Sequence, residues 1–233
     1  MDIALFSSAG IQFLLRWFHY FFGVIWIGML YYFNFVQGAF FAETDASTKS
    51  NAIQKLLPRA LWWFRWGAMG TMLTGLIILM QRGHEAGASV YASSWGVSIL
   101  TGALFGLTMW FNVWFVIWPN QKIVIRSATQ VASGGSALPE AAGAAARALV
   151  ASRTNTLFSV PMLFFMGAAS HLPLSMNPEP NYLAYSAILG ILWAGLELNA
   201  LKGKTGPLTT VKGVIHCSFA LAVVVYALIE ILI

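Results

Sequence analysis

The chain has 233 residues, 58% of them hydrophobic and 9% charged, with a mean hydropathy of +0.72. Soluble domains carry about 25% charged residues, so a domain that faces water on all sides is excluded. The net charge of +5 is spread over several segments, which is not a nucleic-acid footprint, and the single cysteine, Cys217, excludes an internal disulfide and a CxxCH haem-attachment motif.

What remains is one all-α integral membrane domain over residues 1–233, a bundle of about six transmembrane helices in a lipid bilayer. A crossing takes roughly 20 apolar residues. Spans are expected near 11–41, 60–81, 95–118, 154–174, 182–200 and 211–232. The N-terminus shows no basic n-region or small-residue cleavage site, so it is expected to be retained. The ten Trp and seven Tyr suit an aromatic belt at the lipid boundary.

The first span carries Arg16 and His19, followed on the same helix face by Gly23 and Trp26. Ionisable groups in hydrocarbon are costly, and each is a functional-site hypothesis by default. The segment 42–59, with Glu43, Asp45, Lys49, Lys55 and Arg59, reads as a connection. Arg65 lies near the start of the second span, where snorkelling to headgroups accounts for it and a propionate or anionic substrate is the alternative. A polar turn with Arg82, a solvated His84 and Glu85 follows. In the third span, Gly102 and Gly106 permit close helix packing, Asn112 reads as a hydrogen-bonding position, and Trp118-Pro119-Asn120 reads as a helix end.

The connection 120–153 is the longest. Lys122 and Arg126 suggest that the third helix runs on, Gly134-Gly135 breaks it, and Pro139-Glu140 opens an Ala-rich segment. That segment is either a helix leading into the fourth span or a flexible linker. The fourth span holds Asn155, a further hydrogen-bonding position, and places Gly167 four residues before His171. Glu197 and Glu230 lie near the ends of the fifth and sixth spans and read as interfacial, with a proton path as the alternative, while Gly213 precedes His216 by three residues.

Lysine and arginine concentrate in the first, third and fifth connections, whereas only Arg82 falls in the second or fourth. By the positive-inside rule the odd connections, 120–153 included, face the cytoplasm and both termini are periplasmic. A bacterial cytoplasmic (inner) membrane is the expected location.

A single membrane histidine is explained by a helix–helix hydrogen bond. Three histidines, each beside a glycine, point instead to a flat cofactor such as haem b, held by neutral imidazole in a helical bundle. Depth favours His19 with His171, both towards the outer side, over His19 with His216, which lies near the inner boundary at 1.5 Å of rise per residue. Arg16 would pair with a propionate or a substrate anion.

Three stretches carry a family resemblance. Arg16-Trp17-Phe18-His19 with Trp26-Ile27-Gly28 is similar to the first helix of the membrane-bound urate hydroxylase family (urate oxidase N-terminal membrane domain). The run Asn112–Gln121, and Arg153-Thr154-Asn155-Thr156 continuing through Pro161 to Ser170-His171-Leu172-Pro173, resemble that family's third and fourth helices. The resemblance implies a membrane oxidoreductase that passes electrons to a cytochrome c, fused at the C-terminus in full-length urate enzymes. This chain stops at Ile233 without that domain, so a separate cytochrome c or other membrane redox subunits are expected as partners, in an oligomer or multi-subunit complex. Gly67 stands where the family pattern leads one to expect a carboxylate. The alternatives are a small-solute transporter or channel, and an accessory structural subunit of a larger membrane complex.

Overall fold

Six long helices account for nearly all of the computed structural model, which describes residues 3–233; no β-strand occurs among the described residues. They are α1 (Ser8–Glu43), α2 (Ala46–Ala86), α3 (Ser94–Ala132), α4 (Ala141–His171), α5 (Tyr182–Lys202) and α6 (Val211–Leu232). All but α4 are long and apolar enough to cross a membrane. The chain is thus an all-helical protein of multi-pass membrane character.

The breaks follow local chemistry. Asp45 caps α2 by accepting from the amides of Ser47 and Thr48, and a side-chain oxygen at this position satisfies amides that have no partner within the helix. These amides and the two hydroxyls hold the Asp45 carboxyl well below the ordinary carboxylate range. Gly87 ends α2 and Gly134 ends α3, both with left-handed backbone (φ 78° and 86°) that a side chain would strain. Ser93, Asn181 and Thr210 cap the helices that follow them.

Several expected boundaries are corrected. Segment 42–59 is not a loop, because α1 and α2 are separated only by Thr44-Asp45 and residues 46–59 are helical. Its mixture of Lys, Gln, Leu and Ala is helix-forming, so polarity there marks an amphipathic helix. His84 lies in the last turn of α2, exposed but helical. Trp118-Pro119-Asn120 does not end α3. Pro119 sits just past a π-helical segment, Asn112–Ile117, in which the hydrogen-bond ladder has already shifted, so its missing N–H breaks little. Two more π-helical segments occur, Tyr32–Gln37 in α1 and Ala52–Leu56 in α2.

The Ala-rich segment is helix and continues without interruption into α4, which removes the flexible-linker alternative. The polar halves of α3 and α4 are tied by Arg147 Nε donating to Asn120 Oδ1 (3.1 Å) and by an exposed Arg126–Glu140 pair (3.7 Å).

Helix α4 is the axis of the bundle and packs against α1, α3, α5 and α6. Seven consecutive residues, Arg153 to Ser159, are buried, so every face is covered there. Such a helix has no lipid-facing stripe to keep apolar, which is why polar residues are accommodated at its middle. The α3–α4 crossing is close: a Cβ on Gly102 would lie 3.3 Å from the Met162 carbonyl, and Phe105 and Phe158 rings sit 5.2 Å apart.

Candidate functional site

The α1–α2 pair sets the position of His19. Gly67, Gly70 and Gly75 of α2 make a groove for α1. A Cβ on Gly67 would lie 3.0 Å from Trp26 N and 3.3 Å from Phe22 O, and one on Gly70 would collide with the Phe22 ring. A carboxylate at position 67 therefore has no room, and glycine there is a packing requirement of the α1 crossing. The His19 ring lies over Gly75, its Cε1 3.0 Å from where a Cβ would stand.

His19 Nδ1 is 3.1 Å from Thr74 Oγ1. That hydroxyl donates its own hydrogen to the backbone, at 2.7 Å from Gly70 O and 3.1 Å from Thr71 O. It can only accept from the histidine, so Nδ1 carries the proton and Nε2 keeps a free lone pair. Histidines that ligate metals are oriented in this manner by a partner on the other nitrogen.

Side-chain hydrogen bonds fix the register of α1 against α4. Tyr31 Oη and Ser159 Oγ are 2.9 Å apart, and Asn34 Nδ2 donates to Ser152 Oγ at 2.8 Å, so the two helices run antiparallel. His19 lies twelve residues before Tyr31, and His171 twelve residues after Ser159. At 1.5 Å per residue both are about 18 Å from that pair, and the Asn34–Ser152 pair puts them about 22 and 28 Å away, so their depths agree to within about 6 Å. Gly23 and Gly167 also match, each eight residues from it, and a Cβ on either would meet nothing within 4 Å.

His216 is not brought to that level. Ser218 Oγ donates to Thr156 O at 3.3 Å, and the end of α6 meets the loop after α4 through Asn181 N and Leu232 O (2.7 Å). The two helices are parallel, so His216 is level with Thr154, about 25 Å along the axis from His171. Both His171 and His216 are exposed, and His19 is partly buried. No group of three or more His, Cys, Asp or Glu side chains gathers as a metal site among the described residues.

Arg16 is one turn from His19 and exposed, in a small cleft lined also by Gln12, Gln81, Arg82 and Glu85. Glu85 Oε1 accepts from Gln12 Nε2 (2.7 Å) and Gln81 Nε2 (3.2 Å), which ties α1 to α2 and leaves two guanidinium groups beside one carboxylate. Trp26, on the same face of α1, is 2% exposed and its indole N–H has no partner. Arg65 lies inside α2; its guanidinium stacks 3.6 Å from the Trp118 ring centroid and its Nε donates to Leu61 O, which fixes it against α3.

A second polar cluster was only partly visible in the sequence. Asn112 is fully buried beside the third π-segment, and its Nδ2 donates to Asn155 Oδ1 and to Glu197 Oε2, both at 3.0 Å. Asn155 Nδ2 donates to Met109 O at 2.9 Å. Glu197 is not interfacial: it is 8% exposed and faces α3. Trp193 Nε1 donating to Thr108 Oγ1 and the Thr101–Tyr185 hydroxyl pair bind α5 to α3 along the same seam.

Residues 84–226, more than half the chain, match the family model described as urate oxidase N-terminal, and the chain belongs to that family. No curated protein and no solved structure matches it. The matched region includes His171, His216, Asn112, Asn155 and Glu197, whereas Arg16 and His19 precede it.

Proposed function

From membership of the urate oxidase N-terminal family, we propose that this chain is a membrane-embedded, haem-type oxidoreductase domain that passes electrons to a cytochrome c. The observation that carries the reading is the similar depth of His19 and His171, within about 6 Å, each with an open glycine one turn away.

The residues fit a haem b in three respects. His19 Nε2 is free to ligate while Thr74 orients the ring. Gly23 and Gly167 leave space beside the helices for a flat macrocycle. Arg16 and Arg82 supply cations near the same end, where propionates or a substrate anion would be paired. Under this reading His19 and His171 hold the group, which supplies one-electron chemistry when bound, and His216 takes no part because of its depth.

The positive-inside distribution supports a periplasmic orientation of the His19–His171 end, the side on which a soluble cytochrome c of a bacterial inner membrane would accept electrons. The test is the absorption spectrum of the purified protein made with ample haem supply. A Soret band that is lost in His19→Ala and in His171→Ala, and kept in His216→Ala, supports the reading. A protein with neither Soret band nor iron ends it.

A further inference from the structure

Glu197 is the one buried glutamate among the described residues, and it lies within a membrane-crossing helix. It makes no ion pair within 4.0 Å. The charged groups on the elements around it are Lys122 and Arg126 on α3, Arg147 and Arg153 on α4, Lys202 on α5 itself, and Lys212 and Glu230 on α6. All are exposed except Arg153. Arg153 is two residues from Asn155, about 200° around the helix, and so projects from a different face.

The hydrogen-bond directions follow from a backbone anchor. Met109 O is an acceptor only, so Asn155 must present Nδ2 to it and Oδ1 to Asn112. Asn112 must then present Nδ2, whose two hydrogens go to Asn155 Oδ1 and Glu197 Oε2. Two acceptors are left over, Asn112 Oδ1 and Glu197 Oε1, both fully shielded from solvent and without a partner. They sit on two residues already joined by one hydrogen bond. A bare carboxylate held by a single neutral N–H in this setting carries a large desolvation penalty.

We propose that Glu197 is a proton-exchanging site inside the membrane. Its Oε1–H donates to Asn112 Oδ1 while Oε2 accepts from Asn112 Nδ2, which closes a cyclic acid–amide pair. One proton thereby satisfies both orphaned acceptors. Asn112 and Asn155 are positioning residues that hold the carboxyl in one orientation. In the exchange step the O–H bond breaks, the proton passes to water, and the carboxylate is reprotonated from the same source. Glu197 is only five residues, about 7.5 Å, from Lys202 at the end of α5, which is the short way to water. The inference concerns the chain's own residues and stands whether or not haem is bound.

Infrared spectroscopy of the intact protein in lipid nanodiscs at neutral pH tests it. The expected result is a protonated-carboxyl C=O band that shifts in D2O, is lost in Glu197→Gln and is displaced in Asn112→Leu. The Gln side chain forms the same cyclic pair, so that variant keeps the fold. Carboxyl-¹³C glutamate in the wild-type protein assigns the band to a glutamate without any substitution, and Glu197 is the one buried glutamate among the described residues. Absence of the band, its persistence in Glu197→Gln, its insensitivity to D2O, or an unmoved band in Asn112→Leu each overturns the proposal.

Discussion

Replacing Asn155 by leucine tests whether the α3–α4–α5 seam depends on its buried amides. The side chain is fully buried, and leucine is close in size. The substitution removes the bond to Met109 O and the bond from Asn112 Nδ2, so one N–H loses its partner and the Met109 carbonyl keeps only the Asn112 backbone amide, which it shares with Thr108 O. A buried group stripped of its partner costs about 1–3 kcal/mol, whereas polar pairs between membrane helices average only about 0.6 kcal/mol. The first figure governs here, because the site is enclosed by protein on every side and the orphans cannot turn to lipid headgroups or water. The stripped N–H and the weakened carbonyl together cost up to about 2 kcal/mol at the lower bound, roughly a 30-fold shift in the unfolding equilibrium. Equilibrium unfolding in mixed detergent micelles reads this directly. A leucine variant within about 0.5 kcal/mol of wild type would refute the reasoning.

Gly67→Ala should destabilise by about 1–3 kcal/mol, the usual cost of overpacking, because its Cβ would press on the Trp26 amide nitrogen; Tm in micelles measures it, and no change would mean that α1 and α2 part easily. Thr74→Val removes the acceptor for His19 Nδ1 without changing the shape of the side chain; haem affinity should fall about 10–100-fold, as read by haem titration of the apoprotein. For Asp45 the folded-state carboxyl lies below its ordinary range, so its contribution to the start of α2 is complete above about pH 4 and is lost as pH falls through the folded value. The protection factors of the 46–51 amides, taken against the intrinsic exchange rate at each pH, should therefore fall in acid in the wild type, and be low at neutral pH in Asp45→Ala. Arg126→Ala should leave stability within about 0.5 kcal/mol, since both partners of its ion pair are exposed.

The long apolar runs were legible because a lipid-facing surface must be apolar, and all six helices appear where those runs lie. The connections were harder to read. Residues 46–59 carry the charges of a loop, but Asp45 supplies a cap and the Lys and Gln that follow are good helix formers, so the segment is helical instead. At the candidate site the histidines and their glycines could be read from composition and spacing alone. Glu197 could not be placed. Its position near a helix end suggested an interface, and only the register of α5 against α3, set by Trp193 and Tyr185, turns it inward onto Asn112. Asn112 and Asn155 were identified as hydrogen-bonding positions, but that they bond to each other is a fact of three-dimensional pairing.

The polarity of α4 bears on how the protein is built. With Arg153, Thr154, Asn155, Thr156 and Ser159 in succession, this segment partitions poorly into lipid by itself at the translocon. Its companions α3, α5 and α6 each qualify for independent insertion, and α5 and α6 are synthesised after it. The nascent chain must then either retain α4 beside α3, where Asn112 donates to Asn155 and the Met109 carbonyl accepts from it, or wait for the last two helices to arrive. Ribosome-bound intermediates truncated before α5 are accordingly the species most exposed to quality-control proteolysis.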